Sequence, residues 1–316
     1  MTAEASAPRA TMKEICSEFL GTLVLMLFGL AVNAQVTVGE ISTQVGDGSV
    51  STYAYGDYLT LNLGWGLAVM MGVYVAGGAT GAHLNPAVTV AMACRKKLGW
   101  AKVPGYVAAQ VIAAIVASGI VYLVYFEQIE FVEQQTQLQA INNAQALPVE
   151  TDAGMQFRVK VVEGRRTMAT AGIFATYPRE FDEQLRVTNW TGLIDQFVGT
   201  ALLLLVICAV VDKRNIGPDF SLAPIAIGAI VMVIGMGFGA NCGYAVNPAR
   251  DFGPRLFSYL GGWGSQVFLV PDNYWYLVPI AGPVLGGIAG VVLYDAMITR
   301  FHSGNTDSSD LQELDS

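Results

Sequence analysis

Charge is scarce in this 316-residue chain: Asp, Glu, Lys and Arg make up 13% of it, against 53% hydrophobic residues. A soluble domain normally carries about 25% charged residues. The deficit excludes a water-soluble globule and predicts an integral membrane protein whose main surroundings are the lipid bilayer. Histidine is nearly missing, with only His83 and His302. No Ser-His-Asp, metal-ligand or phosphate-loop pattern rises above chance, so the sequence predicts neither an enzyme nor a cofactor. Cys16, Cys94, Cys208 and Cys242 are the only cysteines. They lie scattered through or beside apolar runs, without the spacing of a metal site or a secreted disulfide framework, and read as small buried residues. No basic patch interleaved with aromatics occurs, and the net charge of -8 is concentrated in an acidic tail and a long central loop. Nucleic acid is therefore excluded as a partner.

What the chain has instead is apolar runs, with cores at 23–31, 67–76, 107–124, 202–211, 225–237 and 284–293. With their flanks each approaches the roughly 20 residues needed to span a bilayer, which predicts six full helices. The first run has Glu18 at its start and exceeds a signal-peptide core, so it reads as an uncleaved helix. Basic residues cluster at Arg9 and Lys13, at Arg95, Lys96, Lys97 and Lys102, at Lys213 and Arg214, and at Arg300, with none between Lys13 and Arg95. The positive-inside rule makes these segments, and both termini, cytoplasmic. Residues 1–12 form a short leading segment, 13–126 a first unit, 127–189 a long outer loop, 190–301 a second unit, and 302–316 a disordered acidic tail. The outer loop contains EQQTQLQAINNAQ, a Gln/Asn-rich piece open to two readings, solvated helix or disorder. Asn189-Trp190-Thr191 is a glycosylation sequon abutting the fourth helix.

The two units are copies. SEFLGTLVLML from Ser17 aligns without a gap on DQFVGTALLLL from Asp195, pairing Glu18 with Gln196 and Thr22 with Thr200. Each lies upstream of an Asn-Pro-Ala: Asn85, Pro86 and Ala87 in the first copy, Asn247, Pro248 and Ala249 in the second. Three crossings per copy force the second to enter from the opposite face, an inverted repeat. The apolar segments after the tripeptides, 87–93 and 249–257, are only about two turns long and reach no further than the bilayer middle. Asn is a favoured N-cap and Pro a favoured first helical residue, so each tripeptide starts a half-helix.

Two helix N-termini aimed at one point create a positive potential that repels cations. The amides of Asn85 and Asn247 can donate to a neutral permeant. The extended stretches before them, with Gly81, Ala82, His83 and Leu84 in one copy and Ala245 in the other, must turn carbonyls into a wet cavity. Donors and acceptors in a row describe a path for a small, polar, uncharged molecule.

With its paired NPA boxes, the NPARDFGP stretch and the inverted three-plus-three repeat, the chain from Met12 to Phe301 resembles the major intrinsic protein family, the aquaporins and glycerol facilitators. The resemblance implies an all-α membrane fold of six spanning helices plus two re-entrant half-helices, and a homotetramer with one pore per subunit. It also implies a selectivity filter of Trp65, Gly243, Tyr244 and Arg250, with Gly243 standing where water-only members carry a His. Two aromatics beside an arginine suit the carbon backbone and hydroxyls of a polyol. Asp251, with Arg255, Pro279, Ile280 and Tyr125, matches the glycerol branch. Glu18 matches the family's loop-supporting glutamate; Gln196 departs from it. The resemblance thus implies an aquaglyceroporin of the plasma membrane passing glycerol, water and urea. A water-selective aquaporin is the alternative, and a secondary transporter of small polyols is disfavoured because the half-helices carry no coupling carboxylate at the midplane.

Overall fold

Capping chemistry decides where the first long helices begin. The computed structural model describes residues 9–44, 50–145, 166–181, 185–219 and 221–302. Helix α1 (Met12–Val38) opens on a reciprocal cap between Thr11 and Glu14, and α2 (Tyr58–Thr80) on the same device built from Asp57 and Thr60. Between them β1 (Glu40–Gln44) pairs antiparallel with β2 (Val50–Ala54), Glu40 opposite Ala54. The first half-helix, α3 (Pro86–Cys94), is followed by α4 (Val103–Val124) and by α5 (Phe126–Gln145), and a single turn, α6 (Met168–Ala171), precedes the second copy. That copy consists of α7 (Asn189–Val211), α8 (Ala223–Phe238), the half-helix α9 (Pro248–Ser258), a short α10 (Gln266–Leu269) and α11 (Val278–Tyr294).

Among the described residues five helical stretches are long and apolar enough to cross a membrane: Met12–Val38, Tyr58–Thr80, Trp100–Val124, Asn189–Val211 and Trp275–His302. The sixth crossing is shorter than the sequence predicts. Helix α8 has 16 residues, about 24 Å at 1.5 Å per residue, against a hydrocarbon core of about 30 Å. It stops where Gly239 lies so close to Tyr58 that a Cβ there would stand 1.9 Å from the phenol oxygen. The chain then turns into the stretch before Asn247. The fold is nevertheless six crossings plus two half-helices, all-α apart from the hairpin and one isolated bridge among the described residues.

The repeat is visible in the packing. Helix α1 packs on α2 and α4, and α7 on α8 and α11, while α3 lies against α11 and α9 against α4. Each half-helix is thus held by the last long helix of the other copy. Helices α7 and α11 meet backbone to backbone: a Cβ at Gly286 would fall 2.1 Å from the Phe197 carbonyl, and one at Gly290 2.3 Å from that of Ala201. Small residues four apart are the means by which helices approach when lipid supplies no hydrophobic drive.

Polar contacts gather the basic clusters at one end of the bundle. Lys102 Nζ meets Glu14 at 2.6 Å and Arg95 meets Asp295 at 2.7 Å, which brings the starts of α1 and α4 and the ends of α3 and α11 together. Asp212, capping α7 at the same end, accepts from Arg214 and from Tyr294 Oη. The Arg214 bonds outweigh burial and hold the Asp212 carboxyl well below the usual carboxylate range. The hairpin, α5 and α6 occupy the opposite end. Helix α5 settles the two readings of the Gln/Asn-rich piece in favour of a helix, although Glu133 on it is buried rather than solvated. The acidic tail from Ser303 onward and the first eight residues lie outside the described residues.

Candidate functional site

Each tripeptide caps its half-helix with one end of an asparagine and reaches across the bundle with the other. Asn85 Oδ1 accepts from the Ala87 N–H at 2.8 Å, and Asn247 Oδ1 from those of Ala249 and Arg250 at 3.0 and 3.3 Å. Pro86 and Pro248 take the first helical position, where no N–H is needed. Asn85 Nδ2 then donates to the Val246 carbonyl at 2.9 Å, and Asn247 Nδ2 to the Leu84 carbonyl at 2.8 Å. Reciprocal bonds lock the two helix starts face to face. Each amide keeps a second N–H for the cavity that both asparagines line.

The stretches before the asparagines are contorted. Ala82, Leu84 and Val246 have φ of +54°, +52° and +41°, a region that costs a non-glycine residue about 1–3 kcal/mol each. In the first copy the Glu18 carboxylate compensates with four acceptor bonds. They come from Thr80 Oγ1, His83 N, Leu84 N and Gln110 Nε2, at 2.6, 3.0, 2.8 and 2.8 Å. In the second, Gln196 Oε1 accepts from Val246 N at 3.0 Å while its Nε2 donates to the Gly243 carbonyl at 2.6 Å. The adjacent Asp195 accepts from Asn241 Nδ2 at 2.8 Å and from Cys242 Sγ at 3.4 Å. The carbonyls of Leu84, Gly243 and Val246 each accept one of these bonds, which leaves each a second lone pair. Gly81, Ala82, His83, Leu84 and Ala245 line the cavity, with Nδ1 of the His83 ring held 3.2 Å from Thr89 Oγ1.

That cavity, about 910 Å³, runs from Arg95, Lys213 and Asp295 at the basic end past both asparagines to Trp65, Tyr244 and Arg250. A second cavity of about 280 Å³ opens toward the other end and shares the same three residues. They form the ring that separates the two spaces. Arg250 is 7% exposed, its guanidinium carbon lies 4.3 Å over the Trp65 ring, and its Nη1 donates to the Phe174 carbonyl at 3.2 Å. Trp65 is aimed by a relay in which its Nε1 donates to Asn33 Oδ1 at 2.8 Å and Asn33 Nδ2 to the Ile173 carbonyl at 2.9 Å.

Gly243 does not stand in this ring. It borders only the second cavity, and a Cβ on it would point at Thr176 Cγ2, 3.1 Å away, with φ at +69°. The glycine that makes room beside the ring is Gly235 on α8, where a Cβ would fall 2.5 Å from Tyr244 Cζ and 2.2 Å from Asn62 Oδ1. The space beside the ring is therefore set by Gly235 rather than Gly243, because a side chain at 235 would meet Tyr244 whereas one at 243 would meet Thr176 on the second cavity. Asp251 faces away from Arg250. It accepts from Thr176 N and Oγ1 at 2.7 and 2.6 Å and pairs with Arg255 at 2.8 Å. Arg255 in turn donates to the Thr176 carbonyl at 2.7 Å. This buried pair pins the segment after Phe174 to α9. Tyr125 lies apart from the pore and donates to Gln35 Oε1 at 3.1 Å.

Sequence reasoning missed Asn33, Asp195, Gly235 and the carbonyls of Ile173 and Phe174. Asp195 was the most legible of these, being a charged residue inside an apolar run next to Gln196. Asn189 Nδ2 is engaged by both oxygens of Asp272, at 3.0 and 2.9 Å.

Residues 5–294 match the major intrinsic protein family profile. The chain is 40% identical over 294 residues to Aquaporin-10 of the tardigrade Milnesium tardigradum, covering 89% of this chain and 62% of that protein. It is 36% identical over 296 residues to human Aquaporin-9, covering 94% of this chain and 85% of the relative. The X-ray structure of the aquaglyceroporin from Plasmodium falciparum superposes with a TM-score of 0.68 at 28% identity, over 92% of this chain and 98% of that one. A profile match over nearly the whole span, on a fold with two facing half-helices, means that the chain belongs to the major intrinsic protein family.

Proposed function

We propose that this protein is a passive channel for glycerol, urea and other small uncharged solutes as well as water, and that it excludes ions and protons. The observation that carries the reading is the ring of Trp65, Tyr244 and Arg250 between two cavities. Two aromatic faces accept the carbon edge of a polyol and a guanidinium donates to its hydroxyls, so a molecule with one face of each kind replaces its water at little cost. Water alone needs no such asymmetry. Ion exclusion follows from the same geometry. Each of two facing helix starts carries about half a positive charge, and Arg250 adds a full one at the ring, so a cation meets a barrier in a low-dielectric passage. The relatives named aquaporin and aquaglyceroporin support a channel of this kind. By the same resemblance the protein is a homotetramer of the plasma membrane, with the basic end and both termini in the cytoplasm.

Stopped-flow light scattering on proteoliposomes tests the reading. Glycerol-driven reswelling well above that of empty liposomes is expected, and its absence beside intact water flux would leave a water-selective channel. Arg250→Ala is expected to admit small cations that the parent excludes; cation exclusion unchanged in that variant would remove Arg250 from the barrier.

A further inference from the structure

The residues that shape the ring are not held by the channel's helices alone. Both its cation and its larger aromatic are aimed by consecutive carbonyls, Ile173 and Phe174, on the segment that follows α6. Three successive turn bonds fix that segment relative to α6: Ile173 N to Thr170 O at 3.1 Å, Phe174 N to Ala171 O at 3.1 Å and Ala175 N to Ala171 O at 3.2 Å. The start of α6 is gripped in turn from α5. Glu133, 3% exposed, accepts from Thr167 N at 2.8 Å and from the Thr170 hydroxyl, which also accepts from Trp263 Nε1 at 3.0 Å. Beside this contact the Arg166 guanidinium sits 4.9 Å from the rings of both Tyr122 and Trp263 and pairs with Glu130.

A carboxylate buried beside Ile129 on the inner face of this helix needs a structural return, because burying it unpaired costs several kcal/mol. Among the described side chains of α5 none lines either cavity, so the return for Glu133 is not contact with a permeant. We propose that Glu133 is a positioning residue for the selectivity ring, and that α5 acts as a buttress rather than a lid: through Thr170 and the turn after it, Glu133 sets where the Ile173 and Phe174 carbonyls stand, and so how far Trp65 and Arg250 reach into the pore. The inference rests on the proposed reading of the ring as a polyol filter. A carboxylate that merely glued the outer end together would change how much protein folds. One that positions the ring changes which solutes pass.

The test is the ratio of erythritol to glycerol permeability in proteoliposomes, which is independent of the amount of channel, measured for the parent, Glu133→Ala, Glu133→Gln and Thr170→Val. Loss of the anchor is expected to raise the ratio about fivefold, the equilibrium weight of one net hydrogen bond. Glu133→Gln, which keeps one acceptor oxygen, is expected between Glu133→Ala and the parent. Glu127→Ala, which removes an exposed carboxylate on the same helix, is expected to leave the ratio alone. Folded Glu133→Ala and Thr170→Val channels with the parent's ratio would overturn the proposal. If Glu133→Ala fails to fold, the Gln and Val variants decide by the same criterion. A parent that passes water but no glycerol would sink the filter reading. The positioning role would then be read from whether Glu133→Ala admits the excluded glycerol, and continued exclusion would sink it too.

Discussion

Replacing Gly235 by alanine adds one methyl group to the back of the ring and is expected to cut glycerol flux far more than water flux. The new Cβ would stand 2.5 Å from Tyr244 Cζ, whereas carbon atoms rest about 3.5–4.0 Å apart, so one partner must recede by about 1 Å or more. Asn62, 2.2 Å away on the other side, is fully buried and has nowhere to retreat. Tyr244 borders both cavities and does, toward Arg250 and Trp65. Overpacking of this size costs about 1–3 kcal/mol. If the glycerol barrier rises by that amount, its flux falls roughly 5- to 150-fold, at 1.36 kcal/mol per decade. Water, with a single oxygen to pass, loses less. Paired stopped-flow traces under glycerol and impermeant-sugar gradients give the ratio directly. Gly243→Ala is the control: its Cβ meets Thr176 Cγ2 at 3.1 Å and φ at +69° is strained, so it is expected to lower stability and keep the ratio. An unchanged glycerol-to-water ratio in Gly235→Ala, or a larger change in Gly243→Ala, would refute the reasoning.

Glu18→Gln puts an amide NH2 against donors that now find a carboxylate oxygen. It is expected to cost about 3 kcal/mol, seen as a lower unfolding temperature in detergent; an unchanged temperature would mean the carboxylate is not what holds the first loop. Asn189 is the first residue of α7 and its amide nitrogen is bound by Asp272. Protein made in glycosylating cells is therefore expected to show no shift on glycosidase treatment, and a shift abolished by Asn189→Gln would contradict this. The depressed pKa of Asp212 gives a stability term that is complete above the ordinary carboxylate pKa of about 4 and is lost as pH falls through its lower folded value. Removing its partner with Arg214→Ala should therefore lower thermal stability at pH 7 and 5 alike and converge on the parent below pH 4; a difference confined to the acid side would reverse the sign argument.

How much of this was legible in the sequence depends on the distance over which each residue acts. The half-helices were legible because their causes are local: a capping Asn, a Pro without an N–H and a short apolar run lie within a dozen residues. The inverted repeat was legible because it is written twice. The ring was only partly so. Arg250 follows its tripeptide directly and has no structural role that would justify its burial at membrane depth, but the space beside Tyr244 is set by Gly235 on α8, and only the turn between them brings the two together. What aims Trp65 is Asn33, whose own partner is the Ile173 carbonyl 140 residues on. A backbone carbonyl carries no residue signature, so no pattern of side chains announces it. Helix α5 hid for a related reason. Its Gln/Asn-rich composition matches solvent, and Ile129 and Glu133 share its buried face against a segment that only the fold brings near.

The departure at Gln196 shows what the repeat preserves. Both loops need N–H groups satisfied near a left-handed turn, and Glu18 does this with one carboxylate. The second copy divides the task between neighbours: Gln196 holds Val246 and Gly243, and Asp195 holds Asn241 and Cys242 upstream. An amide can donate as well as accept, and Gln196 uses this to bind the carbonyl of Gly243, which Glu18 cannot do for its own loop. The second loop therefore has one carbonyl fewer free for permeants and a firmer grip on the residue before Tyr244. Both consequences fall on the side of the pore where the ring stands. The first loop gives up only its Leu84 carbonyl, to Asn247 Nδ2, and keeps those of Gly81, Ala82 and His83 for the wide part of the passage. The asymmetry between Glu18 and Gln196 thus follows the asymmetry of the pore, with rigid support at the constriction and a row of acceptors leading away from it.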